Sequence, residues 1–81
     1  MAGVSPTISE QVSARLAPYI GDLNARVWVQ AVARRALGVA PEKVTAEKLA
    51  VLVDGLRPSL RTLMGRGAAD DLLARIGREV S

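Results

Sequence analysis

Apolar residues recur along this chain at helical spacing. Ile8, Val12 and Leu16 repeat at i, i+4, and Leu49, Leu52, Val53, Leu56, Leu60, Leu63 and Met64 stay in helical phase. Leu72, Leu73, Ile76 and Val80 do the same near the C-terminus. No stretch alternates with the period of a strand, and no internal repeat or low-complexity tract is visible. The pattern predicts an all-α fold, a small bundle of four to five short helices. Residues 1–6 read as a flexible N-terminal tail and residues 7–81 as a single helical domain.

The stretch over residues 22–37 organises this expectation. As a helix it lines up Asp22, Arg26, Gln30 and Arg34 as one narrow polar stripe. Leu23, Val27, Trp28, Ala31, Val32, Ala36 and Leu37 cover much of the remaining girth, which predicts a central helix with neighbours on several sides. At about 1.5 Å per residue it is about 24 Å long, too short and too charged to span a membrane core of about 30 Å.

Local signals set the expected boundaries. Thr7 and Glu10 form a capping box for a first helix that runs to about Ala17, where Pro18 disfavours helical geometry in the preceding residue. Tyr19, Ile20 and Gly21 read as a tight connection, with Asp22 as cap of the central helix. Gly38 suits its left-handed terminus, with Arg34 and Arg35 in the last turn where the helix dipole favours cations. Residues 39–44 contain Pro41 and read as a loop, after which Thr45 is the expected N-cap of the next helix. Residues 46–64 keep phase across Gly55 and Pro58, so they form one kinked helix or two nearly collinear pieces. Gly65-Arg66-Gly67 allows a reversal, and a last helix follows over residues 68–80 with Asp70 and Asp71 at its positive end. Its outer face carries Asp71, Arg75 and Glu79 as an alternating ladder.

Composition narrows the function. The 81 residues contain neither Cys nor His, which excludes disulfides, thiol nucleophiles, imidazole bases and the commonest zinc sites. Asp70 and Asp71 point about 100° apart on a helix and cannot act as a carboxylate dyad. Gly65-Arg66-Gly67 lacks the Lys-Ser/Thr of a phosphate-binding loop and follows a helix. No enzyme activity, metal, cofactor or small-molecule substrate is expected. Eleven basic residues against eight acidic ones leave a net charge of +3, spread with acids interleaved and not gathered on one face. With no signal peptide or membrane span, the expected location is cytoplasmic, and the Ala-, Arg- and Gly-rich vocabulary is that of a GC-rich bacterial genome. The chain has only Trp28 and Tyr19 as aromatics, so the core must be built from Leu, Val, Ile, Ala and Met. So small a core leaves apolar surface for a second subunit, hence an expected homodimer or partner-bound module.

Two families supply resemblances. Leu16-x-x-Tyr19-Ile20-Gly21-x-x-x-Ala25 resembles the start of small helical accessory domains of bacterial signalling and regulatory proteins, in which a Tyr-Ile-Gly-Pro stretch opens an apolar helix. Asp22 stands where that pattern has Pro. The resemblance implies a noncatalytic adaptor or dimerisation role. Leu60-x-x-Leu63-Met64-Gly65-Arg66-Gly67 followed by a helix resembles the helix-hairpin-helix family, whose hairpin presents backbone amides to a DNA phosphate. Here Arg66 replaces the hydrophobic residue between the glycines, and Asp70 and Asp71 oppose a phosphate at that helix start.

The expected function is therefore a noncatalytic protein–protein interaction module (adaptor, scaffold or dimerisation unit) of a bacterial regulatory or signalling system. Trp28, Arg57, Arg61 and Arg66 are the candidate partner-binding residues: Trp is enriched at interface hot spots, and the Arg57–Arg61 pair can grip an acidic partner. The alternative is sequence-independent binding of the DNA backbone through Gly65, Arg66 and Gly67.

Overall fold

Helix α1 (Ile8–Ile20) begins where the capping box places it. In the computed structural model, which describes residues 7–80, the Glu10 amide donates to the Thr7 hydroxyl at 3.1 Å and the Thr7 amide to the Glu10 carboxylate at 2.8 Å. The tail expected at residues 1–6 lies outside the described residues. Ile8, Val12 and Leu16 are buried as their spacing predicts. The expected boundary at Ala17 is corrected, because α1 runs through Pro18 to Ile20. Pro18 has no N–H for the Ala14 carbonyl, but both residues lie on the exposed face, where the lost hydrogen bond is cheapest because solvent can reach the carbonyl.

Gly21 alone makes the turn. Its φ of 91° and ψ of 152° end α1 and start α2 (Asp22–Val32) at one residue. The Gly21 amide donates to the Ala17 carbonyl, and the Gly21 carbonyl accepts from Ala25. No separate capping residue fits in so short a joint. Asp22 is therefore the first residue of α2, not its cap, and it faces Arg26 at 3.7 Å. One turn of π-helix, Ala33–Leu37, widens the end of α2, and Gly38 closes it in the left-handed region at φ 66°.

The expected loop holds a 3-10 turn, Pro41–Lys43, and buries Val44. A second 3-10 turn, Ala46–Lys48, leads into α3 (Leu49–Met64). Thr45 precedes that turn without a side-chain cap; its carbonyl accepts from Lys48 instead. α3 is one continuous helix through Gly55 and Pro58, so the two-piece alternative does not occur. Pro58 and Asp54, whose carbonyl would have accepted its proton, are again both exposed. Gly65, at φ 88° and ψ 158°, joins α3 to α4 (Arg66–Glu79), which starts before the expected Ala68 and buries Ala69, Leu72, Leu73 and Ile76.

The molecule is an all-α bundle of two helical hairpins, with no strand among the described residues. The hairpins repeat one another in a way not visible in the sequence alone. Leu16, Gly21, Ala25 and Val29 in the first correspond at a constant offset to Leu60, Gly65, Ala69 and Leu73 in the second, with the same joint geometry and all six flanking side chains buried.

The hairpins meet where α2 and its π turn lie on α3. Arg15 on α1 and Glu79 on α4 pair at 2.7 Å across the other side. The central helix is therefore α3, which packs against α2, the π turn, the second 3-10 turn and α4. The expectation for α2 is corrected: it buries one face, made by Ala25, Val29 and Val32, while Leu23 is 74% and Val27 52% exposed. Ala25, Val29 and Val32 form the inward stripe, and the larger Leu23 and Val27 stand outside it.

Candidate functional site

The polar stripe of α2 is one wall of a groove of about 400 Å³. Asp22, Arg26 and Gln30 stand on that side. Opposite them α1 contributes Ser9, Glu10 and Ser13, and the Pro41–Lys43 turn closes one end with Pro41 and Glu42. The small side chains of α1 make the cleft, since Ser9 and Ser13 occupy positions on the buried side where larger residues would fill it. The Ser9 hydroxyl donates to the Pro41 carbonyl and fixes the turn against the helix. Ser13 is only 8% exposed, and its hydroxyl has no hydrogen-bond partner among the described residues. Glu42 likewise carries no ion pair there. The groove thus holds three carboxylates, from Glu10, Asp22 and Glu42, against the single guanidinium of Arg26. No three acidic side chains among the described residues converge as a metal ion requires.

Beside the groove, Leu23, Val27 and Ala31 follow the next i, i+4 line of α2 and are exposed. They form an apolar stripe that no element among the described residues covers.

A charged cluster ties α3 to α4. Arg61 grips Asp70 with both arms, its Nε donating to one carboxylate oxygen at 3.1 Å and its Nη2 to the other at 2.9 Å. Arg57 lies between Asp54 at 3.4 Å and Asp70 at 3.5 Å, with its buried Nε in ion-pair contact but without a hydrogen bond. The hydrogen bonds from Arg61 hold the Asp70 carboxyl below its ordinary value, aided by the charges of Arg61, Arg57 and Arg66 and opposed by partial desolvation. The same hydrogen bonds hold the Arg61 guanidinium above its own.

The structure thus gathers three of the candidate residues, Arg57, Arg61 and Arg66, around Asp70. Trp28 is outside that set, half-buried on α2 and packed against the core. Of the glycine turn, Gly65 is the joint, Arg66 the exposed first residue of α4, and Gly67 an exposed helical residue with open space around it. Sequence reasoning missed the groove and the Asp70 clamp. Ser9 and Ser13, one turn apart among Ile8, Val12 and Leu16, were the signal for a cleft against that face.

No described helix is long and apolar enough to cross a membrane. Comparison with protein-family models, curated proteins and solved structures finds no match.

Proposed function

We propose that this chain is a noncatalytic interaction module that associates with a second copy of itself, serving as an adaptor or dimerisation unit in a bacterial regulatory or signalling system. The exposed stripe of Leu23 and Val27 on α2 carries this reading. Large aliphatic side chains aligned on one helix face favour burial at roughly 25 cal/mol per Å² of apolar area. Binding of the DNA backbone at Gly65, Arg66 and Gly67 is less well supported, because Asp70 and Asp71 near that helix start oppose a phosphate and Asp70 already engages the nearby Arg57 and Arg61.

Sedimentation over a concentration series tests the proposal. Self-association is expected in the micromolar range, and Val27→Asp, at an exposed position, is expected to abolish it while leaving the helical circular dichroism intact. A strict monomer at high micromolar concentration overturns it.

A further inference from the structure

Resting on the interaction role proposed above, we infer that the groove between α1, α2 and the Pro41–Lys43 turn is a binding site for an extended, lysine-bearing peptide segment of a partner protein. Three observations select this occupant. First, a groove of about 400 Å³ lies in the range of ligand-sized clefts and suits a few residues of extended chain. Second, its charge balance is acidic although the whole chain is basic at +3. An ammonium entering it exchanges a repulsive surface for an attractive one.

Third, the site holds hydrogen-bonding capacity that the fold leaves unused. The hydroxyl of the nearly buried Ser13, a residue that lines the groove, has no partner among the described residues, and neither do Glu42 and Gln30. Glu10 spends one oxygen on the Thr7 amide and Asp22 faces Arg26 at 3.7 Å, so each keeps lone pairs for a further donor. A lysine ammonium has three donors and no acceptor, which matches carboxylates and a hydroxyl. The donors in the groove, Arg26 and the Gln30 amide, face the complementary task of meeting the backbone carbonyls of the peptide. The acids do not converge on one point, which disfavours a metal ion and suits charges strung along a chain.

The experiment is a nitrogen-15 NMR titration of the full chain with acetyl-Ala-Lys-Ala-Lys-Ala-amide, in parallel with the glutamate counterpart of that peptide and with spermidine. The lysine peptide is expected to give saturable shifts at Ser9, Ser13, Arg26, Gln30 and Glu42. Glu42→Gln and Ser13→Ala are each expected to weaken binding about three- to tenfold, whereas Glu47→Gln, outside the groove, leaves it unchanged. Absence of saturable shifts, equal binding of the glutamate peptide, binding of spermidine alone, or indifference to Glu42→Gln each overturns the site. Self-association is read separately by sedimentation without peptide. Binding by a monomeric protein supports the groove and removes only the dimer, and a dimer that ignores the peptide does the reverse.

Discussion

At Gly55 one missing Cβ sets the distance between α3 and α2. A Cβ built there lies 2.4 Å from Val32 Cγ1 and 3.8 Å from the Ala36 Cβ. Valine is stiff at χ1, so Val32 cannot swing aside without leaving its rotamer or moving the helix. Gly55→Ala should therefore destabilise the protein by about 1–2 kcal/mol despite its better helix propensity. Gly67, also helical, meets nothing within 4 Å. Gly67→Ala should stabilise by about 0.4–1 kcal/mol, because it restricts only the unfolded chain. Urea melts of the two variants check the pair, and equal effects would refute the close approach at Gly55. Asp70 gives a second test at this scale. Its carboxyl titrates below the ordinary value in the folded state, so its contribution is present above the unfolded value of about 3.9 and is lost as pH falls through the folded one. Asp70→Asn should melt a few degrees lower than the parent at pH 7, and the gap should close as pH falls below the unfolded carboxylate value of about 3.9. A gap independent of pH would assign the effect to packing and not to charge. The glycine at position 55 was plain in the sequence as a possible break, but its use as a contact surface depends on which residue lies opposite.

Among the elements, the helices were legible and their joints were not. Ile8, Val12 and Leu16, the leucines of α3 up to Leu60, and Leu72, Leu73 and Ile76 of α4 are buried as their spacing predicts, whereas Leu63 near the end of α3 is exposed. Periodicity could not weigh α2, since it counts Leu23 and Val27 as inward and undervalues alanine. The inner face there is Ala25, Val29 and Val32, small enough for close packing. Pro18 misled for a related reason, and Pro58 left two readings open where one helix forms. Each costs one hydrogen bond, but a helix tolerates the loss where the orphaned carbonyl faces water. The groove stayed hidden because its walls come from three separate elements, and only the 3-10 turn at Pro41 brings Glu42 to the serines of α1. The joints invite their own test. Gly21 and Gly65 hold φ near 90° with extended ψ, a region essentially reserved for glycine. Gly21→Ala and Gly65→Ala should each cost about 1–3 kcal/mol although neither Cβ would touch anything. Thermal melts near parental stability would show that α1 and α2, or α3 and α4, can be joined by another turn.

For the whole molecule, the repeated hairpin raises the question of whether each half is a folding unit. The packing argues against it. One continuous core takes Val12 and Leu16 from α1, Val29 and Val32 from α2, Leu52 and Leu56 from α3, and Leu73 and Ile76 from α4. A lone hairpin would expose the apolar face that its partner covers, and its helices of 11 to 16 residues are near the length at which isolated helices are marginal in water. Two fragments divided at the loop, residues 1–44 and 45–81, should each show little helical circular dichroism alone at about 10 μM. Mixed, they should recover helicity, because the contacts of α2 and its π turn with α3 and the Arg15–Glu79 pair need no covalent link between the halves. Reconstitution should weaken with Gly55→Ala, whose Cβ intrudes where the halves meet, and should be nearly indifferent to Gly67→Ala. A fragment that folds by itself with a cooperative melt would show that each hairpin carries its own core. The shared geometry of Gly21 and Gly65 would then mark two autonomous units, where the present packing makes them halves of one.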